Sequence, residues 1–283
     1  MKVLVTGANG QLGHDVINEL KKRNHESIGV DISEMDITDY ESVQIKLMNV
    51  KPDAVIHCAA WTAVDDAEDN VERCRLVNAT GTENIAKVCK ELKSKMMYIS
   101  TDYVFDGKGE RPWEPDDIVT VPLNIYGQTK YEGEVAVRNH VEKYFIVRIA
   151  WVFGINGKNF IKTMLNLSKT HDSLAVVNDQ VGTPTYTYDL ARLLVDMIET
   201  DRYGNYHATN EGGYITWYDF ACEIFKQAGI QIDVTPVPSS SYPSKAKRPF
   251  NSRLSKRKLI ENGFELLPEW QDALKRYLLE LGY

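Results

Sequence analysis

The sequence predicts an α/β protein, a doubly wound parallel sheet with a smaller C-terminal lobe. Three observations carry this. Short apolar runs alternate with helix-like segments of ten or more residues through the first half of the chain, the rhythm of βαβ units and a parallel sheet. The runs are near-continuous in apolar residues rather than alternating, as suits strands covered on both faces. A glycine-rich turn stands between the first run and the first helix-like segment.

Taken in order, Lys2–Thr6 is the first strand and Gln11–Arg23 the helix after the glycine turn. Ser27–Val30 is the second strand, and Tyr40–Asn49 has helical spacing. Ala54–Ala59 is the third strand, entered through the turn signal Pro52-Asp53. Val71–Leu92 is a long amphipathic stretch, Met96–Ser100 reads as the fourth strand, Tyr126–Asn139 as a helix and Tyr144–Ile149 as the fifth strand. Later in the chain, Asp189–Glu199 is a helix and Gly204–Ala208 a short strand that completes the sheet. Thr216 caps a helix over Trp217–Ala228. Thr235–Pro249 is rich in Pro, Ser and Lys and reads as a surface loop or lid near a ligand; Pro268–Leu281 is a last amphipathic helix.

The bulk numbers narrow the function classes. The 283 residues suffice for one domain with an added lobe, and 43% hydrophobic with 26% charged residues is ordinary for a soluble protein. No apolar run approaches the roughly 18–20 residues that cross a bilayer, and Val3–Val5 runs into the glycine turn rather than a cleavage site. Cys58, Cys74, Cys89 and Cys222 lie far apart with no CxxC pair, and read as reduced thiols of a cytoplasmic protein. A net charge of −7 argues against nucleic-acid and acidic-membrane partners, so a phosphorylated ligand needs local devices.

Thr6-Gly7-Ala8-Asn9-Gly10-Gln11-Leu12-Gly13 supplies such a device. Gly7 permits the tight turn, Gly10 lets the backbone approach a pyrophosphate, and Gly13 allows close helix–strand packing, the pattern of a Rossmann-like dinucleotide site with GxxGxxG spacing. The free N–H groups at the helix start then face the phosphates. An acidic residue is expected about 20 residues on, at the end of the second strand. Asp31 stands there after Ile28-Gly29-Val30, with no arginine following; it suits a ribose 2′-OH and repels a 2′-phosphate. Asp36, followed by Ile37, is placed to reach the adenine edge. This makes residues 1–152, with 186–212 returning to them, a dinucleotide-binding domain. Residues 153–185 and 213–283 form a substrate lobe over the C-terminal edge of the sheet.

Tyr126 and Lys130 stand at i and i+4, on one face of a helix. A phenol, with a reference pKa of about 10, is a poor acid until a neighbouring ammonium favours its ionised form. It can then protonate a carbonyl oxygen as hydride reaches the carbon. Of the 15 tyrosines only Tyr126 has a lysine four residues later. Thr101 ends the fourth strand at the edge where such sheets do their chemistry, and its hydroxyl can polarise the same carbonyl.

In this order TGANGQLG, HCAAWTAVDDAE, ISTDYVFDG, PLNIYGQTK and RIAWVFG resemble the extended short-chain dehydrogenases/reductases. With NFIKTML, NDQVGTPT, WYDFA and RPFNSRL added, nearly the whole chain is similar to the dTDP-4-dehydrorhamnose reductase family. The resemblance implies reduction of the 4-keto group of dTDP-6-deoxy-L-lyxo-4-hexulose to dTDP-L-rhamnose, with NADPH or NADH. That is the last step toward the rhamnose donor of surface polysaccharide. It implies Tyr126 as proton donor, Lys130 as its partner and Thr101 as the hydroxyl on the keto oxygen. Gly7, Asn9, Gly10, Gln11, Leu12, Ala59 and Ala60 would line the cofactor. Thr62, Val64, Asp102, Tyr103 and Trp151 would line the substrate, with Arg248 or Arg253 on its diphosphate. Some members hold Mg²⁺ at a dimer interface through glutamates; here the corresponding places carry His14-Asp15, Asp189 and Glu280, so no metal is assigned to catalysis and a homodimer is left open. The alternatives are a reductase or epimerase of another nucleotide 4-keto-sugar, and a non-catalytic relative like the regulatory subunit of a methionine adenosyltransferase.

Overall fold

The computed structural model describes residues 1–119 and 121–283. The first half runs β1 (Lys2–Thr6), α1 (Gln11–Lys22), β2 (Glu26–Val30), α2 (Tyr40–Val50), β3 (Ala54–His57), α3 (Val64–Asp69), α4 (Val71–Arg75), α5 (Gly81–Leu92), β4 (Lys95–Thr101), α6 (Ile125–His140) and β5 (Tyr144–Ile149). The second half runs β6 (Val152–Phe153), α7 (Phe160–Leu167), β7 (Ser173–Val177), β8 (Val181–Gly182), β9 (Thr185–Tyr186), α8 (Thr187–Ile198), β10 (Gly204–His207), β11 (Asn210–Glu211), β12 (Ile215–Thr216), α9 (Trp217–Ala228), β13 (Asp233–Val237), α10 (Arg257–Glu261), β14 (Leu267–Glu269) and α11 (Trp270–Glu280).

Six strands pair in parallel in the order β10-β5-β4-β3-β1-β2. Successive strand residues point to opposite faces, and here both faces are buried. Val3, Val5, Ala54, Ile56, Met97 and Ile99 pack on one side with Leu12, Val16 and Leu20 of α1 and with Leu190, Leu193 and Leu194 of α8. Leu4, Val55, Met96, Tyr98 and Ile146 pack on the other with α2 and α5. A third core joins Phe153, Ile161, Met164, Phe220, Ile224, Trp270, Leu274 and Tyr277, from the elements that follow β5.

One expectation is refined and one changes. The amphipathic stretch Val71–Leu92 is made of α4 and α5, joined by a π-turn over Leu76–Thr80. The wider turn accompanies a buried Asn78, whose amide accepts the Trp61 N–H at 2.8 Å and donates to the Trp61 carbonyl at 3.1 Å, pinning the segment after β3. The segment from Thr235 does not begin as loop. Its first residues end β13, which pairs in parallel with β7, Pro236 being tolerated because this strand has only one neighbour. All four cysteines are free thiols, Cys74 and Cys89 buried. Among the described residues no helix is long and apolar enough to cross a membrane.

Candidate active site

The site is a cleft along the C-terminal ends of β1 to β5, and it begins at the glycine turn. Gly7 has φ +66°, and a Cβ there would lie 2.9 Å from the Ala59 nitrogen. A Cβ on Gly13 would lie 2.1 Å from the Gly7 carbonyl oxygen, so α1 can start this close to β1 only with glycine. α1 begins at Gly10 with no side chain capping it, which leaves its first N–H groups for an anion. A cavity of about 710 Å³ opens from this turn, lined there by Gly7, Gly10, Gln11 and Leu12. Along the same wall lie Asp31, Asp36 and Ile37, with Ala59 and Ala60 opposite. Asn9 contributes its backbone N–H, which Asp31 Oδ2 accepts at 2.9 Å. The cradle and its acidic wall fit a dinucleotide.

At its other end the same cavity is lined by Thr101, Asp102, Tyr103, Tyr126, Lys130 and Trp151, and by Thr62 and Val64. Asn124 caps α6, its Oδ1 accepting the Gly127 N–H at 2.8 Å, and this sets Tyr126 in the first turn and Lys130 one turn on. The Lys130 ammonium donates to the Ile99 carbonyl at 2.7 Å and sits 4.1 Å from the Tyr98 ring centroid. Burial lowers its pKa to about 7, with Glu134 pulling the other way. The sequence leads one to expect Lys130 to pull Tyr126 down. Burial instead raises the Tyr126 hydroxyl, with the Thr101 hydroxyl opposing it, and the ammonium is directed at a backbone carbonyl. The Thr101 hydroxyl donates to Asp102 Oδ1 at 3.0 Å. Asp102 is itself buried, which raises its carboxyl to about 6. Its Oδ2 has no hydrogen-bond partner among the described residues.

Behind the triad lies a buried ion pair that motif reading passed over. Glu134 and Arg148 are 0% and 2% exposed, and join through two contacts of 2.8 Å. The Ser100 hydroxyl donates to the same carboxylate at 2.7 Å. Three successive residues of β4 are thereby fixed against α6: Ile99 through Lys130, Ser100 through Glu134, and Thr101 beside Tyr126. Burial alone would raise the Glu134 carboxyl, but Arg148, Ser100 and Arg138 hold it below its ordinary value. Its spacing four residues after Lys130 was the available signal.

A second cavity, of about 1170 Å³, meets the first at Tyr103. Phe160, Met164 and Trp217 line it on one side, and the segment from Ser239 to Phe250 on the other. Trp151 stacks on Trp217 at 3.7 Å between the two cavities, and holds a left-handed φ of +49°, uncommon for a bulky residue. Gly182 makes room for it, since a Cβ there would meet the indole at 2.9 Å. Arg248 lines the second cavity but is already paired with Asp65, which also accepts the Ala246 N–H at 3.1 Å. A second ion pair joins Lys245 to Asp69, so both fasten the segment to α3. Arg253 lines neither cavity; it donates to Asn251 Oδ1 at 3.1 Å. Trp217 and Asp65 lie in WYDFA and AAWTAVDDAE, segments legible as motifs without a role for these residues.

Each carboxylate at the metal-linked places of the family has a partner. Asp189 takes two hydrogen bonds from Arg276 at 2.8 and 2.7 Å, Glu280 accepts from Tyr186, and Asp15 from Thr187. Among the described residues no three His, Cys, Asp or Glu side chains form a metal-holding group.

Comparison with known proteins agrees with this geometry. The model of the family described as RmlD substrate binding domain matches residues 1–282. The dTDP-4-dehydrorhamnose reductase of Escherichia coli strain K12 is 39% identical over 99% of this chain and 98% of its own. A crystal structure of a dTDP-4-dehydrorhamnose reductase from Clostridium acetobutylicum superposes with TM-score 0.97 at 45% identity, over 100% of both chains. That of the Bacillus anthracis reductase in complex with NADP gives TM-score 0.95 at 39% identity, over 99% of this chain and 100% of the other.

Proposed function

The chain belongs to the RmlD substrate binding domain family, and from that premise we propose that it reduces the 4-keto group of dTDP-4-dehydro-L-rhamnose to dTDP-L-rhamnose, serving polysaccharide biosynthesis. The observation that carries the reading is the shared cavity, in which the glycine cradle at one end faces Thr101, Tyr126 and Lys130 at the other.

When bound, NADH or NADPH supplies the hydride that reaches C4 of the sugar. Tyr126 gives its hydroxyl proton to the keto oxygen, so that the ketone becomes an alcohol. The buried phenol resists this until negative charge on it is balanced, and Lys130, one helical turn away, is the cation positioned to balance it. Thr101 turns its hydroxyl from Asp102 to the same oxygen and fixes the carbonyl's orientation. Trp151 and Trp217 flank the sugar where the first cavity meets the second, which has the size for the attached nucleoside diphosphate and the Arg248 guanidinium for its phosphates. The lobe formed by 153–185 and 213–283 closes this side.

Purified protein mixed with the dTDP-4-keto-sugar and NADH or NADPH is expected to consume one reduced cofactor per sugar, followed by absorbance. Turnover of the sugar with no net loss of reduced cofactor would instead identify an epimerase, and no reaction would sink the proposal.

A further inference from the structure

Lys130 is a buried cation, and among the described residues no carboxylate touches its ammonium. That group meets the Ile99 carbonyl and the face of the Tyr98 ring instead. The titratable groups around it are Tyr98 from β4, His57 and Cys58 at the end of β3, Cys74 from α4, and Tyr126 and Glu134 from α6 itself. Burial keeps most of them neutral: it pushes His57 down to about 3, Cys58 up to about 12, and Cys74, Tyr98 and Tyr126 upward. Asp102, the other buried acid of the site, acts on Tyr126 rather than on Lys130.

That leaves Glu134, one helical turn after Lys130, as the negative charge next to it. Arg148 of β5, Ser100 of β4 and Arg138 of α6 all donate to this carboxylate, so it is fixed in place and ionised. Behind Arg148 stands His207 of β10, 3.4 Å from the guanidinium and kept neutral by burial. Lys130 and Arg148, 3% and 2% exposed, thus share one buried carboxylate. A buried ion pair adds little net stability over apolar residues of the same size, so its place directly behind the triad calls for another account. We propose that Glu134 is a positioning residue for the reduction and acts through Lys130, as the counter-charge that keeps the buried ammonium protonated while Tyr126 gives its proton. The inference rests on the proposed reduction.

Glu134→Gln alone leaves Arg148 buried without its partner, which can prevent folding. The double variant Glu134→Gln/Arg148→Met removes both charges and keeps most of the volume. In cofactor-free protein isotope-labelled at the lysine Cε, the Lys130 signal is followed by carbon NMR and assigned by its loss in Lys130→Arg. It is expected to titrate at about pH 7 in the unaltered protein. In the double variant it should titrate about one pH unit lower, because removing a negative charge disfavours the ammonium. The fall of kcat with rising pH should begin lower by the same interval. Glu134→Asp keeps the charge on a shorter arm, so kcat should drop several-fold with both midpoints unmoved. A pair that only holds the fold together predicts a less stable double variant whose Lys130 signal and kcat profile stay where they were, and that result would overturn the inference. If the unaltered protein does not reduce the sugar, the proposed reduction falls, while the Lys130 titration still decides whether Glu134 sets its charge.

Discussion

The two ends of the cleft are made of different materials. At the end proposed for the cofactor the chain's backbone does the work, since Gly7, Gly10 and Gly13 lie within seven residues and bring β1 and α1 so close that side chains would collide. At the end proposed for the sugar nucleotide the site is drawn together by side chains from distant segments, with Asp65 and Arg248 183 residues apart. The first kind of construction tolerates no added atom and ignores salt. The second kind depends on charge and can loosen without unfolding. Tyr126, its ring 5.6 Å from that of Tyr103, stands beside the place where the two meet.

Three substitutions separate these regions. Tyr126→Phe at the junction should have the largest effect, lowering turnover by about 10²–10⁴-fold while cofactor affinity stays unchanged in a binding titration. Near-normal turnover would remove Tyr126 from the proton-donor role. Gly13→Ala acts on the backbone end alone. Its Cβ would have to displace the Gly7 carbonyl 2.1 Å away, so a loss of about 1–3 kcal/mol in thermal or urea unfolding is expected, together with loss of cofactor binding. A variant that binds the cofactor normally would show that the turn is less tightly packed than described. Asp65→Asn should have the smallest effect on stability, within about 1 kcal/mol, because the Arg248–Asp65 pair is partly exposed at 31% and 44%. Its effect belongs in KM for the sugar nucleotide, which should change several-fold while cofactor affinity does not. If both constants move together, the two ends are not separate constructions.

The same division explains what the sequence could disclose. The glycine turn, the alternation of strands and helices, and the both-faces-buried pattern are local, so a parallel sheet was readable from periods and spacings, though not the order of its strands. The family and its reaction were readable from motifs such as ISTDYVFDG and NDQVGTPT, which report resemblance rather than geometry. What stayed hidden depends on distant partners. The guanidinium of Arg248 meets Asp65, Trp217 stacks on Trp151, and Glu134 of α6 finds Arg148 of β5. None of these pairs leaves a period in the chain. The π-turn at Leu76–Thr80 was hidden for a related reason: its cause is the buried contact of Asn78 with Trp61, while its amphipathic pattern is that of an ordinary helix. Charge spacing did hold one unused clue, the carboxylate four residues after Lys130.

The sheet's outermost strand on the β5 side is β10, and it is reached only after the excursion through α7, the small strands and α8. During synthesis the first five strands therefore leave the ribosome with β5 still an open edge, its donors and acceptors on the side away from β4 unpaired. Only when Gly204–His207 emerges can that edge close, and by then α7 and α8 have been made. A nascent chain halted before residue 204 would carry a complete glycine turn and triad on an unfinished sheet, a state suited to chaperone capture or aggregation rather than to catalysis. The order of translation thus leaves the first half's sheet with an open edge until the second half of the chain is made.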